Sequence, residues 1–363
     1  MIINKIQLQN FKNYEQKVFD FSSKINCFVG ENGIGKTNIL EAIHYLAFSK
    51  GFAHSLDKHN IQFEKDFFII EAMLSDNQDQ HQLSCIVQKG KKKRFKKNES
   101  EYKKIADYIG FLSLVMISPY DRDLIVEGAE SRRRLTDSII SQVDKVYLED
   151  LMTYNRTLQQ RNALLKYFAK NACFDATQLE VYDRQLDALG SSIHQKRKAF
   201  VELLRPLIQA HYSKISKQKE EVDIHYQSQL SDHSFFELLN QNQAKDRLIQ
   251  HTSVGIHRDD IQFLIEGNSI KRFGSQGQQK SMLIALKLAQ YDYLKSKKDS
   301  KPIILLDDVF DKLDSQRVQS IVDLVNSDYF GQVFITDTHK ERIEQLLEQL
   351  EGERSIFELK PES

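Results

Sequence analysis

Gly30-Glu31-Asn32-Gly33-Ile34-Gly35-Lys36-Thr37 decides the reading of this chain. It follows the apolar run Ile25-Asn26-Cys27-Phe28-Val29, which has the length and make-up of a buried strand. It opens a stretch in which Leu40, Ile43 and Leu46 recur at helical spacing. GxxxxGK[ST] between a strand and a helix is a phosphate loop, and each residue type has a task there. Glycines let backbone N–H groups turn inward around phosphate oxygens, and the helix start adds positive potential. Lys36 can reach β- and γ-phosphates, and the Thr37 hydroxyl suits Mg2+. The expected contacts are Gly30, Glu31, Asn32, Gly33, Ile34, Gly35, Lys36 and Thr37, with ATP and Mg2+ as cofactors.

Working outward, Ile303-Ile304-Leu305-Leu306-Asp307-Asp308 is an apolar strand ending in two carboxylates. Open α/β sheets hold their ligands at the carboxyl ends of strands. Asp307 is the expected Mg2+ carboxylate, direct or second-sphere, and Asp308, with Lys36, the expected catalytic group, Asp308 as base or water-orienting residue. Alone, the pair would read as solvated acids at a strand end; beside a complete phosphate loop the ligand reading is the stronger. Residues 2–8, 67–74 and 82–88 also have strand patterning, and 302–306 and 332–335 are short apolar runs of the buried parallel type.

The middle of the chain differs. No proline falls between Asp121 and Arg205, so long helices are permitted. Leu135, Ile139, Val143, Val146, Leu151, Tyr154 and Leu158, then Leu179, Tyr182, Leu186, Leu189, Ile193, Phe200 and Leu203, recur largely in steps of three and four, broken at Lys196. A polar stretch from Asn171 to Thr177 turns the first helix back on the second, giving an antiparallel pair that is either part of a bundle or a projecting coiled-coil arm. Strands bracket helices, so the expected fold class is α/β. Its head is assembled from both chain ends, 1–125 and 221–363, around an inserted helical, coiled-coil-like domain at 126–220.

Lys+Arg and Asp+Glu both number 51, so local patches decide what is bound. A hydrophobic content of 40% over 363 residues excludes global disorder and allows two cores. Cys27, Cys85 and Cys173 lack CxxC spacing, which argues against a zinc site or disulfide framework and for a reducing cytoplasm. No stretch approaches the roughly 18 apolar residues of a membrane span, and no signal-peptide core opens the chain. A soluble, intracellular protein is expected. Between Lys89 and Lys97 seven of nine residues are basic; Lys91, Lys92, Lys93, Arg94, Lys96 and Lys97 are the candidates for contact with a DNA backbone. A charged hairpin turn is equally a solvated face. Arg132-Arg133-Arg134 reads rather as a cluster pairing with acids or organising the inter-domain joint. No base-reading motif is visible, so DNA would be recognised by structure and backbone.

A third segment, Phe273-Gly274-Ser275-Gln276-Gly277-Gln278-Gln279-Lys280-Ser281, opens a helix and resembles the signature motif of ABC-type ATPases. In that superfamily the serine and the helix start meet the γ-phosphate held by the opposite subunit, which marks Ser275, Gly277 and Gln278. Longer stretches then narrow the match: residues 10–14 (NFKNY), 30–43, 117–137 (ISPYDRDLIVEGAESRRRLTD), 255–260 (GIHRDD), 273–281 and 305–317 (LLDDVFDKLDSQR). In these, along essentially the whole chain, the sequence resembles the RecF family of the SMC/Rad50-like group. The resemblance implies an ABC-type ATPase head that dimerises on ATP, binds DNA at single-strand/double-strand junctions, and works with RecR and RecO to load RecA on gapped DNA. It also implies weak, DNA-stimulated hydrolysis used as a switch in repair and replication, and it assigns Asp314 to a loop that faces the other head. Asp308 stands where transporter heads carry Glu, a shorter side chain that holds a water less well. Ile256 replaces the family's usual proline, and Lys12 and Lys280 its usual arginines, with loss of bidentate geometry. Thr336, Thr338 and His339 are the candidates for a switch residue after the last strand. A kinase or nuclease reading lacks supporting residues, and a transporter subunit leaves the helical insertion unexplained.

Overall fold

The computed structural model describes residues 1–52, 56–76, 79–216, 220–310, 315–349 and 352–360. In chain order its strands are β1 (Ile2–Phe11), β2 (Tyr14–Asp20), β3 (Ile25–Val29), β4 (Phe67–Asp76), β5 (Asp79–Gln88), β6 (Arg94–Lys97), β7 (Ser100–Glu101), β8 (Leu114–Ile117), β9 (Val222–Gln227), β10 (Asp260–Ile265), β11 (Asn268–Ser269), β12 (Ile303–Asp307), β13 (Val333–Asp337) and β14 (Arg354–Glu358). The chain divides into two compact units, Met1–Arg122 with His211–Gln218 and Lys280–Ser363, and Asp123–Ala210 with Lys219–Gln279.

The first unit holds a five-stranded parallel sheet in the order β14-β3-β13-β12-β8 and a six-stranded antiparallel sheet in the order β2-β1-β4-β5-β6-β7. Every residue of β3, β12 and β13 is buried, as near-continuous apolar runs require when a parallel sheet is covered on both faces. The antiparallel strands instead alternate: Ile6 and Leu8 of β1, Phe68, Ile70 and Ala72 of β4, and Leu83, Cys85 and Val87 of β5 point into one core. The helix Lys36–Phe48 joins that core through Ile39, Leu40, Ile43 and Leu46, all fully buried. At about 1.5–3 kcal/mol per large apolar side chain, this packing fixes the helix, and with it the loop at its start.

Helix Lys145–Lys170 lies in the second unit and runs antiparallel to helix Ala176–Ser216, which belongs to that unit as far as Ala210. Arg161 meets Asp183, Asp150 meets Ser192 and Tyr147 meets Arg197, so contacts recede along one helix as they advance along the other. Leu179, Leu186, Ile193 and Phe200 are buried as the periodicity predicts. Leu203, expected in that seam, is 51% exposed, and Leu204 is buried in its place because the row continues from Phe200 by a step of four. The helix read through Leu135 to Leu158 is two, Ala129–Ser141 and Lys145–Lys170. Asp144 divides them, its carboxylate accepting the Tyr147 N–H at 2.8 Å as a helix N-cap.

Residues 221–279, assigned from sequence to the head, cluster mostly with these helices. β9 pairs with β10 from Val222↔Ile265 to Gln227↔Asp260, β11 completes this three-stranded sheet, and Asp260 of β10 is tied to Arg132 of helix Ala129–Ser141. Among the described residues no helix is long and apolar enough to cross a membrane.

Candidate nucleotide site

The phosphate loop leaves β3 at Gly30 and enters its helix at Lys36. Gly35 has φ +111°, and a Cβ there would lie 2.5 Å from Asn13 Nδ2 and 2.9 Å from the Tyr14 hydroxyl. Those neighbours hold the loop: Asn13 donates to the Ile34 carbonyl at 3.0 Å, Tyr14 donates to the Gly35 carbonyl at 3.1 Å, and Asn38 donates to Asn13 Oδ1 at 2.7 Å. The β1–β2 turn thus braces the loop from outside. Sequence reading quoted Asn13 and Tyr14 within a shared motif but gave them no task; their pairing with residues 21 positions on is a product of the fold.

Lys36 is almost buried, and its ammonium donates to the carbonyls of Gly30 at 2.6 Å and Glu31 at 2.8 Å. Burial lowers its pKa, while Asp308, Asp337 and Asp307 oppose that shift. A cation held only by loop carbonyls gains more from phosphate oxygens, and the exposed Glu31, Asn32 and Gly33 leave the loop open to them.

Across the parallel sheet, Thr37 Oγ1 donates to Asp307 Oδ1 at 2.8 Å. Thr336 of β13 donates to the same oxygen at 2.9 Å and accepts the Asp308 N–H at 3.0 Å. Burial raises the Asp307 pKa, and the hydrogen bonds from Thr37 and Thr336 work against that rise. Mg2+ takes one or two protein oxygens and completes its octahedron with phosphate and water. A hydroxyl and a carboxylate oxygen converging at this distance fit that need, so Thr37 and Asp307 would hold the ion and it would neutralise charge on the phosphates. Asp308 is half-buried with φ +49°, a backbone state uncommon for a side-chain-bearing residue. Of the three switch candidates, Thr336 is spent inside the sheet, Thr338 is half-buried and His339 is exposed. Asp314 lies outside the described residues. Lys12 forms an ion pair at 3.2 Å with the buried Glu41 of the phosphate-loop helix.

The signature segment belongs to the other unit at Ser275–Gln278. Ser275 Oγ accepts the Gln278 N–H at 3.2 Å, and Gln278 Oε1 accepts the Ser275 N–H at 2.6 Å. This reciprocal pair is a capping box that starts the helix Gln276–Lys297. Gln278 also donates to Glu220 at 2.7 Å. The exposed Ser275 and the first turn of a 22-residue helix form a start suited to an anion and carrying no cation within Ser275–Gln278 itself.

The basic candidates separate. Lys91, Lys92 and Arg94 are exposed and Lys96 is half-buried. Lys93 turns inward, donating to the Ser49 carbonyl at 2.6 Å and pairing with Asp57 at 3.0 Å, and Lys97 lies over the Phe111 ring at 4.0 Å. The expected charged turn is also shorter than read, because Arg94 to Lys97 belong to β6 and pair with β5. Arg132 pairs with Asp260 at 2.7 Å, Arg133 donates to the Asp259 carbonyl at 2.5 Å, and Arg134 pairs with Glu130 one helical turn away. Asp259 is itself held by Arg197 at 3.0 Å and Tyr226 at 2.5 Å, and Arg197 also donates to the Ile256 carbonyl at 2.8 Å. Arg132, Arg133 and the acids of residues 255–260 therefore fasten the second unit together.

A phosphate loop braced from a β-hairpin, strand-end acids on β12, one strand removed from β3 in the same parallel sheet, and a capped signature helix define a P-loop head of the ABC type. Residues 2–355 match the family described as RecF/RecN/SMC N terminal domain. The chain is 50% identical to the DNA replication and repair protein RecF of Flavobacterium johnsoniae, over 99% of this chain and 100% of that one. It is 43% identical to the RecF of Bacteroides thetaiotaomicron over 98% and 96% of the two chains. A solved "recombination mediator protein RecF-ATPrS in RecFOR pathway" superposes with a TM-score of 0.87 at 28% identity, covering 98% of this chain and 97% of that one. An Smc head bound to the C-terminal winged-helix domain of ScpA, at 14% identity and TM-score 0.54, shares the fold. The chain belongs to the RecF family.

Proposed function

We propose that this chain is an ATP-dependent DNA-binding protein of recombinational repair and replication restart. On ATP it pairs with a second copy at single-strand/double-strand junctions, helps RecR and RecO load RecA on gapped DNA, and is released by slow, DNA-stimulated hydrolysis in the cytoplasm. One observation carries the reading: Lys36 lies in a phosphate loop beside Thr37 and Asp307, whose converging oxygens suit Mg2+, while Ser275–Gln278 opens a helix with no cation of its own and would complete another copy's pocket. The ATP-bound RecF structures of the RecFOR pathway support it. Phosphate contacts fall to Gly30 through Thr37 and, from the other copy, to Ser275, Gly277 and Gln278; Asp308 orients water. Lys91, Lys92, Arg94 and Lys96 remain the DNA candidates, since Lys93 and Lys97 are otherwise engaged.

The test is binding to a labelled gapped duplex with ATP, ADP or no nucleotide at one fixed salt concentration, with mass recorded to count chains. ATP-dependent binding as a dimer is expected, and Ser275→Arg should keep ATP binding while losing the dimer. Nucleotide-independent binding by a monomer, or normal dimerisation of Ser275→Arg, would overturn the shared-pocket reading.

A further inference from the structure

Within the first unit, at the amino-terminal ends of the parallel strands and so opposite to the phosphate loop, lies a cavity of about 730 Å³ whose wall carries Lys24, Lys297, Lys298 and Lys301. Three of its charged groups are already matched. Lys24 and Lys301 share a single carboxylate, each 2.7 Å from Asp328, and the α-amino group of Met1 lies 3.3 Å from Asp76. Two ammoniums on one carboxylate leave a net positive charge, and Asp328 is held down to about pKa 2 by them. Lys298 is different. Its half-buried amine donates to the carbonyl of Gly110, and among the described residues it has no carboxylate within ion-pair distance. The remaining groups of the wall are Lys297, exposed at the last position of the helix Gln276–Lys297, and Asp299, exposed just beyond Lys298.

A carbonyl stabilises an N–H donor without demanding a charge, whereas a carboxylate would keep the amine protonated. We propose that Lys298 is a nucleophilic lysine and a modification site, acylated by small anionic acyl donors of the acyl-phosphate class. The donor's phosphoryl group is drawn by Lys24, Lys297 and Lys301, which places its carbonyl carbon against the Lys298 amine. The Nζ lone pair forms the new C–N bond, the bond from carbonyl carbon to the bridging oxygen breaks, inorganic phosphate leaves with that electron pair, and the proton lost from nitrogen passes to phosphate or water. The product is an amide without charge, and no oxidant or reductant is involved.

The environment agrees with this geometry, since burial brings the Lys298 pKa down to about 8. At pH 7.5 about a quarter of such amines are unprotonated, against about one in a thousand for an ordinary lysine. A less basic amine is also intrinsically less nucleophilic, so the net advantage is on the order of tenfold rather than hundreds. Lys24 and Lys301 are each held against Asp328 at 2.7 Å.

The experiment uses the intact wild-type protein with acetyl phosphate, followed by peptide mass spectrometry over time from pH 6.5 to 10. Lys298 should be acetylated about tenfold faster than Lys297 or Lys301 at pH 7.5, and its rate should level off above about pH 8. An uncharged acetyl donor should show less preference for Lys298. Lys298→Arg should remove that one product and leave the other rates unchanged. Acetylation of Lys298 no faster than Lys297, or a rate that still rises in step with pH up to 10, would overturn the proposal. Equal preference with the uncharged donor would overturn the role given to the cationic wall.

Discussion

Replacing Thr336 by Val isolates the sheet's contribution to the candidate Mg2+ pair. Thr336 is 1% exposed, and its hydroxyl bridges Asp307 Oδ1 at 2.9 Å and the Asp308 N–H at 3.0 Å. Valine has nearly the same shape, so no cavity opens and the change removes hydrogen bonds alone. A hydrogen bond to a charged group is worth roughly 1.5–3 kcal/mol and one between neutral groups roughly 0.5–1.5 kcal/mol. The expected loss is therefore about 2–4.5 kcal/mol, or about 4–18 °C in Tm for a unit of this size. Function should shift as well. Burial already raises the Asp307 pKa, and the Thr336 hydrogen bond is one of the two that oppose the rise, so its removal raises that pKa further. A carboxyl whose folded pKa is raised binds its proton more tightly when folded, and its stabilising contribution fades as pH climbs through that value. Mg2+ needs the ionised form. Mg2+-dependent binding of a fluorescent ATP analogue should consequently fail at a higher pH in Thr336→Val than in the parent, while binding without Mg2+ keeps its pH profile. Scanning calorimetry and a binding titration from pH 4.5 to 8 measure both effects. A Tm within about 2 °C of the parent together with an unmoved acid limb would refute the role given to Thr336.

Gly35→Ala should abolish nucleotide binding without unfolding the head, because a methyl group at φ +111° meets Asn13 and Tyr14 below 3 Å; isothermal titration with ATP checks this. Arg197→Ala strips Asp137, Asp259 and the Ile256 carbonyl of a buried partner, and should destabilise the second unit by about 3–5 kcal/mol in urea unfolding, with ATP affinity kept. Lys91→Ala with Lys92→Ala should weaken DNA binding and flatten its dependence on salt, whereas Lys93→Ala should lower Tm and leave the salt slope unchanged, since its ammonium faces Asp57. In the native protein a bulky thiol reagent should titrate one cysteine, the exposed Cys173; Cys27, whose pKa burial pushes to about 12, and the buried Cys85 should react only after unfolding.

What the sequence displays and what it conceals divide along a physical line. The phosphate loop is legible because its chemistry is local: eight consecutive residues supply glycines, cation and hydroxyl, and the strand and helix beside them are short-range patterns. The fold class was legible for the same reason, from buried runs such as residues 303–306 and the seven-residue spacing of Leu179, Leu186, Ile193 and Phe200. Partners set by tertiary pairing leave no such trace. Arg132 finds Asp260 128 residues away, Thr37 finds Asp307 270 residues away, and Asn13 reaches the loop only because the β1–β2 turn folds over it. The basic run shows the same limit within nine residues: Lys91 and Lys93 are chemically identical, yet one faces water and the other Asp57. Ser275 carries both kinds of information at once. Ser-x-x-Gln is a helix start that sequence alone can supply, and its capping box satisfies the very N–H groups that an incoming phosphate would need. A signature whose first turn is held by its own capping box would exchange an internal hydrogen bond for one to phosphate on binding it. The net gain per contact would then be small, as the reversible pairing of heads proposed above requires.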